Sequence, residues 1–168
     1  MLSIIEQMYQ RCYRHKCFDQ AIGIALDTRK IDKVEEVCQI ALNQGFDNVL
    51  SYTFALCQGA KHIKSRDFRL TVIAVLVKYY GTLPEPDYSN VCFGLQYLNR
   101  PQDVAAMLLK LCNGSLENAL QAFQIAFDMQ EAENQGFVLQ VVAAFPGLSS
   151  SPTEQDRSPD GEKVAQFD

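Results

Sequence analysis

Apolar residues return at the spacing i, i+3, i+4, i+7 in segment after segment of this chain, a rhythm that fits one face of an α-helix. Ile5, Met8, Tyr9 and Cys12 show it first, followed by Val34, Val37, Cys38, Ala41 and Leu42, then Leu50, Phe54 and Cys57. It comes back in Tyr88, Val91, Cys92 and Leu95, in Val104, Met107, Leu108 and Leu111, and in Leu116, Ala119, Leu120 and Phe123. About nine helices are predicted. The first runs from about Leu2 to Arg14 and the second from Phe18 to Thr28. The third opens at Asp32 and the fourth after Asp47, with Gly45 ending the third. Phe68–Tyr80, within FRLTVIAVLVKYY, is rich in β-branched residues and has strand propensity. Its length and its helical neighbours make it a helix, buried nearly all round. The LPEPD run stops it, and Pro86 and Asp87 open the sixth helix. Pro101 starts the seventh, Ser115 caps the eighth, and a ninth begins near Glu131 with Phe137, Val141 and Phe145.

The stretch Gln20–Asp32, QAIGIALDTRKID, shows how two such helices meet. Ala21 and Ala25 share a face and are small enough to let a neighbouring helix come close, while Ile22 and Leu26 fill the space beside them. Asp32 followed by Glu35 has the spacing of a capping box, which predicts Asp32 as the N-cap of the third helix. Helix pairs begin near residues 1, 32, 66, 101 and 131. Steps of roughly 30–35 residues with two helices each are the mark of a helical-repeat stack. The predicted fold is therefore all-α, an α-solenoid of antiparallel helix pairs over residues 1–145. Residues 146–168 are rich in Ser, Pro, Gly and acid, with little apolar periodicity, and are expected to be a disordered acidic tail. Ser151-Pro152 and Ser158-Pro159 in that tail are candidate proline-directed phosphorylation sites.

Charge and cysteine usage exclude several function classes. A net charge of −5 gives no electrostatic footprint for nucleic acid or anionic membrane. No run approaches the roughly 18 apolar residues of a membrane span, and the opening MLSIIEQMYQRCYR lacks the pattern of a secretory signal. Six cysteines scattered along apolar faces read as small hydrophobes in a reducing compartment, cytoplasm or nucleus. Cys12, His15 and Cys17 form the one Cys/His cluster, and no second ligand pair answers it. Lys61, His62, Lys64, Arg66 and Arg69 form a basic loop cluster that suits solvent or an acidic partner. Asn113-Gly114-Ser115 matches a glycosylation sequon but reads as a turn and helix cap. Phosphate loops, zinc-protease motifs, nucleophile elbows and paired carboxylates are all missing, so no catalytic site, cofactor, metal or small-molecule substrate is expected.

The residues also resemble a known family. MYQRCY at Met8–Tyr13 and QAIGIALDTRKID are similar to the largest non-ATPase subunits of the proteasome regulatory particle. So are FRLTVIAVLVKYYGTLPEPDYSNVCFGLQYLNRPQDVAAMLLKL at Phe68–Leu111 and the stretch Asn118–Gln135 containing ALQAFQIAFDMQEAENQ. The resemblance implies a non-catalytic helical scaffold, part of an N-terminal rod, with other base and lid subunits as partners in ubiquitin-dependent degradation. A free-standing helical adaptor that holds a peptide or helix in its groove is the alternative reading. RNA-binding repeats and a cysteine-dependent enzyme are further rivals.

Overall fold

The computed structural model describes residues 3–59, 63–132 and 134–146. Among them the order is α1 (Ile4–His15), α2 (Phe18–Asp27), α3 (Ile31–Asn43), α4 (Asn48–Gln58) and α5 (Arg66–Thr82), then α6 (Tyr88–Tyr97), α7 (Pro101–Cys112), α8 (Leu116–Glu131) and α9 (Gln135–Ala143). No strand occurs among the described residues. Ser151, Ser158 and the tail beyond Pro146 lie outside them, as do Lys61 and His62. Successive helices pack in chain order, and α2 also meets α4, α3 meets α5 and α7 meets α9. Contact to the next helix and the next but one is what stacked helix pairs produce, and the chain is an α-solenoid.

Four of the junctions share one backbone device. After α2, Arg29 takes a left-handed conformation at φ 52°. The Lys30 N–H then donates to the Ala25 carbonyl at 3.0 Å and the Arg29 N–H to that of Leu26 at 3.1 Å. This double closure is the Schellman motif, which satisfies the last carbonyls of a helix while reversing the chain. Lys16 (φ 58°), Gly45 (φ 80°) and Asn99 (φ 54°) repeat it after α1, α3 and α6. The turn at Gln20–Asp32 needs neither Gly nor Pro because an arginine accepts the left-handed state. That state costs a residue with a Cβ roughly 1 kcal/mol. Arg29→Gly should accordingly raise stability by about 0.5–1 kcal/mol in urea unfolding, and an unchanged or lower midpoint would count against the strain.

The same turn overturns the predicted capping box. It delivers the chain into α3 at Ile31, so Lys30 holds the cap position and no side chain caps the helix. Asp32 sits exposed in the first turn, where its charge opposes the positive end of the helix dipole. Glu35 serves instead through its backbone carbonyl, which accepts from the Tyr79 hydroxyl at 3.3 Å and ties α3 to α5. Asp47 does precede α4, but without a side-chain cap bond. Side-chain caps appear at Ser3, Ser65, Asp87, Ser115 and Asn134.

Ala21 and Ala25 are fully buried on α2, which touches α1, α3 and α4. The small face thus lies at the crowded side of this helix. Ala25→Leu should overpack it and lower stability by about 1–3 kcal/mol, read by chemical denaturation. α5 buries Val72, Ile73, Val75, Leu76 and Tyr80 and leaves Asp67, Thr71, Ala74 and Lys78 as an outer stripe. Burial between neighbours on both sides outweighs the strand propensity of its β-branched residues.

Two expectations near the C-terminal end are corrected. Glu131 ends α8 rather than opening α9, which starts at Gln135 under the Asn134 cap. In α8 the core face is Ala122, Ile125 and Met129, whereas Leu116, Leu120 and Phe123 are exposed. The helix carries two apolar stripes, and the one with Ala122, Ile125 and Met129 packs inward.

The core divides at α5 and α6. Buried side chains of α1–α5 form one cluster and those of α6–α9 another, with Val77 and Val91 packed against both. Gly94 of α6 is buried at this joint, facing Val77 and Ile73 of α5.

Candidate functional site

Cys12, Cys38, Cys57 and Cys92 are buried free thiols, Cys17 is half-buried and Cys112 exposed. Burial pushes Cys38, Cys57 and Cys92 up to about 12, far from the thiolate a nucleophile needs. The cluster at Cys12, His15 and Cys17 is part of the α1–α2 turn, with the Cys17 thiol 3.5 Å from the His15 carbonyl. Among the described residues no three His, Cys, Asp or Glu side chains are grouped to hold a metal ion. The cleft between the α3–α4 turn and the end of α5 is lined by Gln39, Leu42, Gly45, Asp47, Tyr79 and Leu83, with a single carboxylate. Of the basic loop cluster, Lys64 and Arg66 are exposed and Arg69 is half-buried. No helix among the described residues is long and apolar enough to cross a membrane.

What the molecule offers is surface. One polar contact set fixes its first face. Lys33 of α3 reaches Glu6 of α1 at 3.3 Å and Glu36 at 2.7 Å, and lies 5.1 Å from the centre of the Tyr9 ring. The Tyr13 hydroxyl donates to Glu36 at 3.1 Å. The hydrogen bond to Glu36 is the main cause that raises the Lys33 pKa, while burial first and Glu36 second raise that of Tyr13. The set clamps α1 to α3 across α2. The pairs that cross from α1 to α3 are separated by 23 residues for Tyr13–Glu36 and 27 for Glu6–Lys33, so no local pattern announces them.

Beyond this clamp both ends of the stack are apolar. Ile4 (77% exposed), Ile5 and Met8 face solvent on α1. At the other end stand Leu116 (79%), Leu120 (59%), Phe123 (57%) and Phe127 (67%) on α8, with Leu139 and Val142 on α9.

A stack of helix pairs with a polar clamp between α1 and α3 and exposed apolar side chains on its first and last helices defines an α-helical-repeat protein. Comparison with known proteins then places it more narrowly. The family model for the N-terminal domain of the 26S proteasome subunit RPN2 matches residues 1–166, and the chain belongs to this family. It is 37% identical over 155 residues to the 26S proteasome non-ATPase regulatory subunit 1 homolog A of Arabidopsis thaliana, covering 90% of this chain and 15% of that protein. Against the Drosophila melanogaster non-ATPase regulatory subunit 1 the identity is 37% over 151 residues, 89% of this chain and 14% of that protein. The Schizosaccharomyces pombe regulatory subunit rpn2 is 27% identical over 162 residues, 95% of this chain and 16% of that protein. The chain thus spans about one seventh of the length of the relatives it matches.

Proposed function

We propose that this chain is a non-catalytic scaffold segment that works with the proteasome regulatory particle, with other base and lid subunits as its partners and ubiquitin-dependent degradation as the process it supports. The observation that carries this reading is the pair of apolar ends on an otherwise inert helix stack, in a chain whose relatives are named as regulatory subunits of the 26S proteasome. Such a stack transmits position and offers surface; it needs no cofactor, nucleic acid, membrane or small-molecule substrate. Cytoplasm and nucleus are the compartments in which it would act. Ala21 and Ala25 keep α2 close to its neighbours and so set the spacing of the stack at the α2–α3 junction. Affinity purification of the tagged full chain from cells, followed by mass spectrometry, tests the proposal. Base and lid subunits should co-purify in salt that removes adventitious binders. Recovery of one unrelated partner instead would favour the free-standing adaptor. A soluble, abundant chain that brings down no proteasome subunit overturns the scaffold reading.

A further inference from the structure

We infer that the outer face of α8 is a docking seam for a single amphipathic helix of a partner protein, one with lysine or arginine along the flank that meets Glu117 and Glu131. Leu116, Leu120, Phe123 and Phe127 follow one another at intervals of four, three and four residues. That alternation is the d-a-d-a seam of a coiled coil, which meets a second helix through knobs and holes. The seam extends over about 16 Å of helix. It lies opposite Ala122, Ile125 and Met129, which hold α8 to its own core. Removing the seam from solvent would thus leave the fold's packing untouched.

The two flanks of the seam differ, and that difference selects the occupant. Glu117, Gln124 and Glu131 stand at seven-residue steps on one side, and Ala119 and Ala126 on the other. Glu117 and Glu131 are exposed, and neither enters an ion pair among the described residues, where the salt bridges are those of Lys33 and Arg100. α8 itself contains no lysine or arginine. The alanine side lets a helix backbone approach closely, and the glutamate side asks for positive charge. A second copy of this chain answers poorly: an antiparallel α8 pair sets Glu117 beside the copy's Glu131, and a parallel pair sets glutamate beside alanine. The chain's own residues 146–168 answer poorly too, with five acidic residues against two basic. A basic-flanked helix from another protein satisfies both the seam and the charge.

The inference does not depend on the proteasome reading, because its test uses purified components. The probe is a synthetic three-heptad peptide with leucine at a and d and lysine at e and g, beside a twin with glutamate in place of lysine. Fluorescence anisotropy with the full chain at low salt should show the lysine peptide binding about tenfold tighter or more, with the difference shrinking as salt rises. Leu120→Asp combined with Phe123→Asp should abolish that binding while the circular dichroism spectrum and melting temperature hold, since both side chains already face solvent. Glu117→Lys combined with Glu131→Lys should turn the preference toward the glutamate peptide. Equal affinity for the two peptides, failure of both to bind, or lysine-peptide binding that survives the seam variant overturns the inference. So does a sedimentation profile in which the chain dimerises until Phe123→Asp is introduced, which would give the seam to a second copy.

Discussion

Gly94→Val should cost the chain about 3 kcal/mol or more, the largest effect of any single substitution considered for this fold. A Cβ built on Gly94 overlaps the Val77 Cγ2 methyl and stands 3.6 Å from that of Ile73. α5 and α6 cross here with backbone against side chain, and no space remains for a new carbon. Val77 cannot readily swing away, because a β-branched side chain in a helix is held to one χ1 rotamer. Two effects oppose each other in the milder change. Gly94→Ala gains roughly 1 kcal/mol of helix propensity and loses about 1–3 kcal/mol to overpacking. It should therefore be near neutral to destabilising, never strongly stabilising. The same joint links the two core clusters, so a wedge at Gly94 loosens the contact between α1–α5 and α6–α9 as well as the local crossing. Urea unfolding of Gly94→Val, Val77→Ala and the double variant measures the coupling. A rescue of about 1 kcal/mol or more by Val77→Ala is expected, and additive costs would mean that the strain lies elsewhere.

The helical repeat was legible from spacing because most segments show a single apolar stripe, and a single stripe has only one inward solution. α8 shows where that logic ends. Two stripes on one helix give two consistent packings, and sequence alone cannot rank Leu116, Leu120 and Phe123 against Ala122, Ile125 and Met129. The decision belongs to α7 and α6, against which the second stripe packs; Cys92 of α6, for example, sits 3.2 Å from the Met129 sulfur. Asp32 fails for a different reason. A cap residue is defined by where the preceding turn releases the chain, and the left-handed states of Lys16, Arg29 and Asn99 carry no glycine to announce them. Gly45, which is its own signal, marks the end of α3 in sequence and structure alike. The Lys33 clamp had no signal at all, since its members meet only after α1 and α3 have packed. The family resemblance, carried by motifs along most of the chain, was legible because it needs residue identity and order rather than side-chain direction.

Raising the pH past 9 should unfold this protein cooperatively, and the three buried thiols set where. Cys38, Cys57 and Cys92 are held neutral by burial, pushed up to about 12 from an ordinary value of 9.0. Below pH 9 both folded and unfolded chains keep these protons, and stability does not depend on them. Between 9 and 12 the unfolded chain releases protons that the folded chain must retain. The unfolded state is favoured in that window, and each such thiol removes up to about 1.4 kcal/mol per pH unit. Three acting together would remove up to about 4 kcal/mol per unit, against a total stability of roughly 5–15 kcal/mol for a domain of ordinary size. The helical signal should hold to about pH 9 and collapse within the next two units or so. Tyr13 and Tyr80, also raised mainly by burial, steepen the upper part of the same transition. The discriminating variant is Cys38→Ala combined with Cys57→Ala. It should be less stable at pH 7, from the two cavities it opens, yet lose less stability on going from pH 9 to 11. If its stability falls with pH as steeply as that of the parent chain, the thiols are not what limits alkaline stability, and the tyrosines carry it instead.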